Sequence, residues 1–168
     1  SGMIAFMTQN IGAGKPGIAY QAKRLGLIFN SILGVFMALF MFFFSKDFLQ
    51  LVGIAPDLEA YATIYLKIVG TGIIINAIVP IYSSYLRAFG HAKNPLIASM
   101  AGNIVNVALN AIFLFVLKWG VLGVALATVI SRATNLVIVF ISSKILIHAQ
   151  NEPDRLPTGV LFLQIIKI

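Results

Sequence analysis

The run NPLIASMAGNIVNVALNAIFLFVL, residues 94–117, decides the fold: Pro95 opens it, no charge interrupts it, and it carries Ser99, Asn103, Asn106 and Asn110. Its 24 residues are too long and too apolar for an ordinary surface helix. At about 1.5 Å per residue they cross a bilayer core of about 30 Å. Steps of four, three and four hold the four polar residues on one stripe, within roughly 60° of one another at about 100° per residue. Carboxamides left against hydrocarbon cost about a kcal/mol or more each, so this stripe has to face protein, water or a ligand. Interhelical hydrogen bonding and the lining of a polar transport cavity both satisfy that demand, and the periodicity does not choose between them.

Working outward, the composition sets the same environment. Hydrophobic residues make up 60% of the 168 and charged residues only 10%, with a mean hydropathy of +0.97, whereas soluble domains carry about 25% charged residues. The chain therefore reads as an all-α integral membrane bundle. With no Cys, disulfides, thiol nucleophiles and thiolate metal sites are excluded. A net charge of +7 raises nucleic acid as a partner, but the basic residues stand singly at the ends of apolar runs. That is the pattern of membrane anchoring, not of a phosphate-tracking patch.

Residues 1–10 read as the tail of a helix without a cleavable leader, ending at Gly12-Ala13-Gly14-Lys15-Pro16-Gly17. The glycines match GxGxxG by spacing, yet no βαβ pattern surrounds them, so a Gly/Pro turn is expected. Leu25 to Ser45, uncharged between Arg24 and Lys46, spans about 31 Å and is predicted to be a full crossing. Gly26, Asn30, Gly34 and Ala38 recur on it at every fourth position, a small-residue face that admits a close neighbour. Lys46 to Lys67 reads as a mixed connection with a helix start at Pro56, where Asp57 and Glu59 suit the positive dipole end. Ile68 to Leu86 is the next crossing, with a bend expected at Pro80. Arg87 to Pro95 is a basic turn in which Gly90 allows a left-handed cap and Asn94 is expected to cap the helix that follows. Val121 to Ser143 is the last full crossing, preceded by Trp119 in the position of an interfacial aromatic. Residues 148–157 read as a polar linker and 158–168 as the start of a further helix.

Four full crossings with partial helices at both ends follow. Lys15, Lys23, Arg24, Arg87, Lys93, Lys144 and Arg155 fall on one set of connections, and Lys46, Lys67 and Lys118 on the other. The positive-inside rule then predicts that the turns at 11–24, 87–95 and 144–157 are cytoplasmic. No enzyme motif is present: HExxH, GxSxG and GxxxxGK[ST] are missing, and His91 and His148 lie in polar turns. All five acids also fall in or beside connections, so no convergent catalytic cluster is expected. Arg132 stands alone near mid-membrane on a stripe with Thr128, Asn135 and Ser142. At that depth it costs about 2.5–3.5 kcal/mol on insertion scales. It should therefore snorkel or meet water, backbone carbonyls, acids of the connections or a carboxylate or anion supplied from outside this chain.

Thr8-Gln9-Asn10-Ile11-Gly12-Ala13-Gly14, Leu86-Arg87-Ala88-Phe89-Gly90 with Pro95, Asn106 to Asn110, and Gly120-Val121-Leu122-Gly123-Val124-Ala125 with Ala127-Thr128 together resemble the N-terminal lobe of multidrug and toxic compound extrusion (MATE) transporters. The resemblance covers the whole chain, from the end of the second helix to the beginning of the seventh of a twelve-helix, two-lobe architecture. It divides the chain into a partial lobe (1–147), an inter-lobe linker (148–157) and the start of helix seven (158–168). It implies antiport that exports drugs or organic cations in exchange for Na⁺ or H⁺, with no cofactor beyond the coupling ion. The implied partners are membrane lipid, the substrate, a first helix and a C-terminal lobe. The same resemblance places Asn106, Asn110 and Thr128 on the cavity wall, where some members have a carboxylate in place of Asn110. With the stripe residue Asn103 and the buried-charge candidate Arg132, they form the predicted cavity lining. A lipid-linked sugar flippase of the same superfamily is the competing transport reading and calls for a more basic central cavity, for which Arg132 is the one residue in favour. A non-transporting helical subunit is the alternative from another class.

Overall fold

The computed structural model describes residues 2–147. The linker and seventh-helix expectations for 148–168, and the cytoplasmic assignment of Arg155, lie outside these residues. The described chain consists of α1 (Gly2–Gly12), α2 (Pro16–Val52), α3 (Pro56–Thr71), α4 (Ile73–Ala88), α5 (Lys93–Ala111) with a π-helical turn (Ile112–Val116), and α6 (Gly120–Leu146). Four of its helical segments are long and apolar enough to cross a membrane: 16–52, 56–88, 93–116 and 120–146. Their outward faces are apolar, with Phe36, Phe43, Ile104 and Val107 all more than 60% exposed. That exposure fits a lipid solvent and is ruinous in water.

Several boundaries differ from the sequence expectations. The turn expected over 11–24 is only three residues, 13–15. Pro16 starts α2 because its missing N–H is no loss in a first turn. α2 then runs 37 residues to a left-handed cap at Gly53, so the connection expected from Lys46 shrinks to 53–55. Lys23 and Arg24 mark where hydrocarbon begins, not where the helix begins. Lys67, expected in a connection, lies well inside α3 with its ammonium 5.5 Å from the Phe42 ring. The turn expected over 87–95 is 89–92, with Gly90 at φ +85° as its glycine predicts. α5 starts at Lys93 with Ala92 at the cap and no side-chain cap bond, so Asn94 is not the cap. Asn94 Nδ2 donates instead to Ser142 Oγ at 3.5 Å, the long limit of a bond. α6 extends to Leu146, past the expected end at Ser143.

The segment 56–88 is interrupted at Gly72, between α3 and α4. There Gly72 N–H donates to Val69 C=O (3.0 Å) and Ile75 N–H to Gly72 C=O (3.1 Å), both three-residue closures. This tightened turn lies where α6 comes close: a Cβ on Gly72 would sit 3.3 Å from Val129 Cγ2. Pro80 stays inside α4 on an exposed face, where it denies the Asn76 carbonyl its helical donor.

α2 packs on α3 and α4, α5 on α6, and α6 on α3 and α4, while α1 closes against α2 and α4. The small-residue face of α2 makes the first of these contacts. At Gly34 a Cβ would lie 3.0 Å from Ala77 Cβ and 3.1 Å from Ile74 Cα. The backbones approach that closely only because nothing projects between them. The buried core gathers at the end of the bundle holding the 13–15 and 89–92 turns, where Met7, Ala19, Ala22, Leu86, Ala98 and Val139 are fully enclosed. That end also carries Lys15, Lys23, Arg24, Arg87, Lys93 and Lys144, whereas Asp47, Asp57 and Glu59 sit at the opposite end. There Lys46 Nζ lies 3.4 Å from Glu59 Oε1, joining the last turns of α2 to the first of α3.

Candidate functional site

The seam between α5 and α6 decides how the polar stripe is used. Pro95, Ala98 and Gly102 are the buried residues of α5, because α6 crosses against them. A Cβ on Gly102 would lie 3.0 Å from Ser131 C=O and 3.4 Å from Asn135 Cβ. Ser99 and Asn103 lie one position along from these small residues and are exposed. Asn106 and Asn110 are drawn into the seam, so the stripe divides into an open half and a bonded half.

In the bonded half the side chains form a chain of hydrogen bonds with one direction. Asn110 Nδ2 donates to Asn106 Oδ1 at 3.1 Å, Asn106 Nδ2 to Ser131 Oγ at 3.4 Å, and Ser131 Oγ to the Thr128 carbonyl at 2.8 Å. Thr128 Oγ1 is turned back onto the Val124 carbonyl at 2.9 Å. Every donor points from Asn110 toward Thr128, so the relay ends in an acceptor: Asn110 Oδ1 is buried without a partner. Asn135 Oδ1 is a second such oxygen. An unpaired carbonyl oxygen at lipid depth is costly, and it is the group that a cation or a donating ligand seeks.

The backbone beyond Asn110 is also unusual. The π turn closes with Leu117 N–H on Ile112 C=O at 3.0 Å, five residues apart, a widening often found beside functional residues. Gly123 fits against that turn, where an added Cβ would fall 2.6 Å from Phe113 Cβ. Phe113 in turn stacks on Trp119 at 5.1 Å between ring centroids. The end of α5, the turn and the start of α6 are thus held as one packed unit around Asn110.

Arg132 is half-buried but stands apart from this relay. Its Nη1 would lie 3.7 Å from a Cβ on Gly72, against the interruption between α3 and α4. Among the described residues it makes no ion pair or hydrogen bond. Of the five residues that the sequence grouped as cavity lining, the structure brings Asn106, Asn110 and Thr128 into one place, leaves Asn103 exposed outside it, and sets Arg132 on another seam of the same bundle. The sequence reading put all five together. It missed Ser131, the link between the two helices; the signal available was the spacing of Gly102 and Asn106, which fixes the face of α5 that α6 must meet. Among the described residues no three His, Asp or Glu side chains converge as a metal site.

Comparison with known proteins agrees with this architecture. The family model described as MatE matches residues 1–112. Protein DETOXIFICATION 43 of Arabidopsis thaliana is 33% identical over 146 residues, covering 82% of this chain and 28% of that protein. The probable multidrug resistance protein YoeA of Bacillus subtilis is 27% identical over 155 residues, covering 83% of this chain and 33% of its own length. The chain thus spans about a third or less of these curated relatives. A crystal structure of MATE in the bent conformation superposes with a TM-score of 0.88 at 22% identity, covering 99% of this chain and 38% of that one. An inward-facing multidrug resistance MATE family transporter of the MOP superfamily gives 0.86 at 22% identity, covering 99% and 39%.

Proposed function

Since the chain belongs to the MatE family, we propose that it forms the N-terminal lobe of a secondary active antiporter that exports drugs or organic cations across the cytoplasmic membrane in exchange for Na⁺ or H⁺. Export proceeds by alternating access, with the second lobe and the first helix supplied by the rest of the transporter. The 13–15 and 89–92 turns and the end of α6 face the cytoplasm, as the excess of Lys and Arg at that end supports.

The observation that carries the reading is the directed relay ending at Asn110 Oδ1. A relay that ended in an N–H would attract anions. This one ends in an oxygen, which favours a metal cation, a protonated group or a substituted ammonium. Along α5 Asn110, where the relay ends, lies about 26 Å from Lys93, closer to the Lys118 end than to the basic end, as suits a site released outward. Most of the described basic side chains collect at one end of the bundle, and Arg132 alone lies at mid-membrane and apart from the relay, which argues for a cation exporter over a lipid-linked sugar flippase.

The test is efflux of ethidium or tetraphenylphosphonium from cells expressing the full-length transporter with Asn110→Leu. At matched amounts of folded protein, efflux should fall severalfold below the unaltered transporter. Equal efflux overturns the assignment of Asn110 to the transport path.

A further inference from the structure

At the basic end, beside the buried core and away from the relay, α2, α4 and α6 enclose a cavity of about 400 Å³. That is within the roughly 300–1,000 Å³ usual for small-molecule sites. Its polar wall comprises Tyr20, Lys23, Arg24, Tyr82, Tyr85 and Lys144. Three of these are cations, and no Asp or Glu lines the cavity among the described residues. Lys23 Nζ sits 4.2 Å from the Tyr85 ring centroid and 4.5 Å from that of Tyr20. The aromatic faces that could have held a ligand ammonium are thus already occupied by the protein's own ammonium. Lys144 Nζ is steadied 4.8 Å from the Phe140 ring, itself edge-to-face with Tyr82 at 5.5 Å. The result is a pocket with fixed positive charge and phenolic hydroxyls that repels cations and attracts an anion.

Depth identifies the kind of anion. Lys23 and Arg24 immediately precede Leu25, where the uncharged stretch of α2 begins, so the pocket lies at the level of the headgroups. Ser143 and Ile147 complete its wall, and Leu27 and Phe140, a turn deeper than Lys23 and Lys144, give an apolar margin on the hydrocarbon side. Basic pockets between membrane helices at this level suit phosphate headgroups. We infer that the cavity between α2, α4 and α6 seats the phosphate headgroup of an anionic phospholipid, with Lys23, Arg24 and Lys144 as its counter-charges and the tyrosine hydroxyls as hydrogen-bond donors.

The experiment is native mass spectrometry of the full-length transporter, titrated in detergent with dioleoyl phosphatidylglycerol or dioleoyl phosphatidylcholine, with glycerol 3-phosphate as a soluble competitor. The unaltered protein should hold phosphatidylglycerol in clear preference to phosphatidylcholine. Lys23→Gln/Lys144→Gln should weaken phosphatidylglycerol about 25-fold, at about fivefold per lysine, and leave phosphatidylcholine unchanged. If the double variant does not fold, Lys144→Gln carries the test with its fivefold loss, since Lys144 is exposed and supports no core. Lys23→Arg/Lys144→Arg should keep the preference. Unchanged phosphatidylglycerol binding in a folded Gln variant overturns the site. Displacement of the lipid by millimolar glycerol 3-phosphate overturns the lipid assignment and gives the pocket to a soluble phosphate ester.

Discussion

Asn106 and Asn110 lie on one stripe of one helix, yet replacing them with Leu should cost stability very unequally. Asn106 is the middle of the relay, accepting from Asn110 and donating to Ser131. Leu at 106 removes both bonds and strands the Asn110 amide group. Interhelical bonds in membranes average about 0.6 kcal/mol, and an orphaned buried donor costs about 1–3 kcal/mol. A net loss of about 1–2 kcal/mol follows. Leu at 110 gives up one bond but also removes an oxygen that is buried without a partner. Its burial already costs about 1–3 kcal/mol, but the Asn106 oxygen that the variant leaves without its donor offsets that relief, so the variant should stay within about 1 kcal/mol of the unaltered protein. For a cooperative unit of 150–250 residues, about 2–4 °C accompany each kcal/mol. Thermal unfolding in detergent should therefore place Asn110→Leu about 2–8 °C above Asn106→Leu and close to the unaltered protein. If Asn110→Leu melts as low as Asn106→Leu, the oxygen has a structural partner and the relay does not end in a vacant acceptor. An equally stable protein that exports more slowly would be the mark of a residue retained for transport and not for packing.

Three further outcomes follow from the same geometry. With an impermeant thiol reagent on intact cells, Lys118→Cys should be labelled and Lys93→Cys should not; labelling of the second alone inverts the orientation. Arg132→Met should keep or raise thermal stability, because the guanidinium meets no ion pair or hydrogen bond among the described residues and its burial costs about 2.5–3.5 kcal/mol; a drop of several degrees would reveal a partner outside them. Gly34→Leu should cost about 1–3 kcal/mol or more by overpacking the α2–α4 contact, whereas Gly12→Ala, with nothing within 4 Å of its added carbon, should melt within a degree or two of the parent.

The four crossings were legible because lipid imposes a length and a composition that sequence displays directly. Helix ends were less so, since Lys23 and Arg24 terminate an apolar run without terminating a helix: a charged segment outside the hydrocarbon remains helical when Ala19 and Ala22 have a core to enter. Pro80 drew attention as a breaker, but the helix is interrupted at Gly72, where α6 presses in. Nothing in the local sequence announces that contact. The polar stripe was visible as a stripe, whereas its division into exposed and bonded halves depends on where Ala98 and Gly102 let α6 approach. The cavity around Lys23 draws on stretches of three helices, 20–27, 82–85 and 140–147, that lie more than fifty residues apart in the chain, and periodicity within any one of them is silent about it.

The π turn after Asn110 bears on how this helix tolerates insertions and deletions. In a regular helix, losing one residue rotates everything beyond it by about 100°, which would swing Trp119 off Phe113 and Gly123 out of its socket. A turn that closes over five residues already holds one more than a regular turn needs. A homologue one residue shorter between Ile112 and Val116 could tighten that turn to the ordinary four-residue closure and keep both the amide relay before it and the aromatic stack after it. In an alignment of relatives, a single gap within 112–116 would therefore mark a change in winding with the lining of the path left in register.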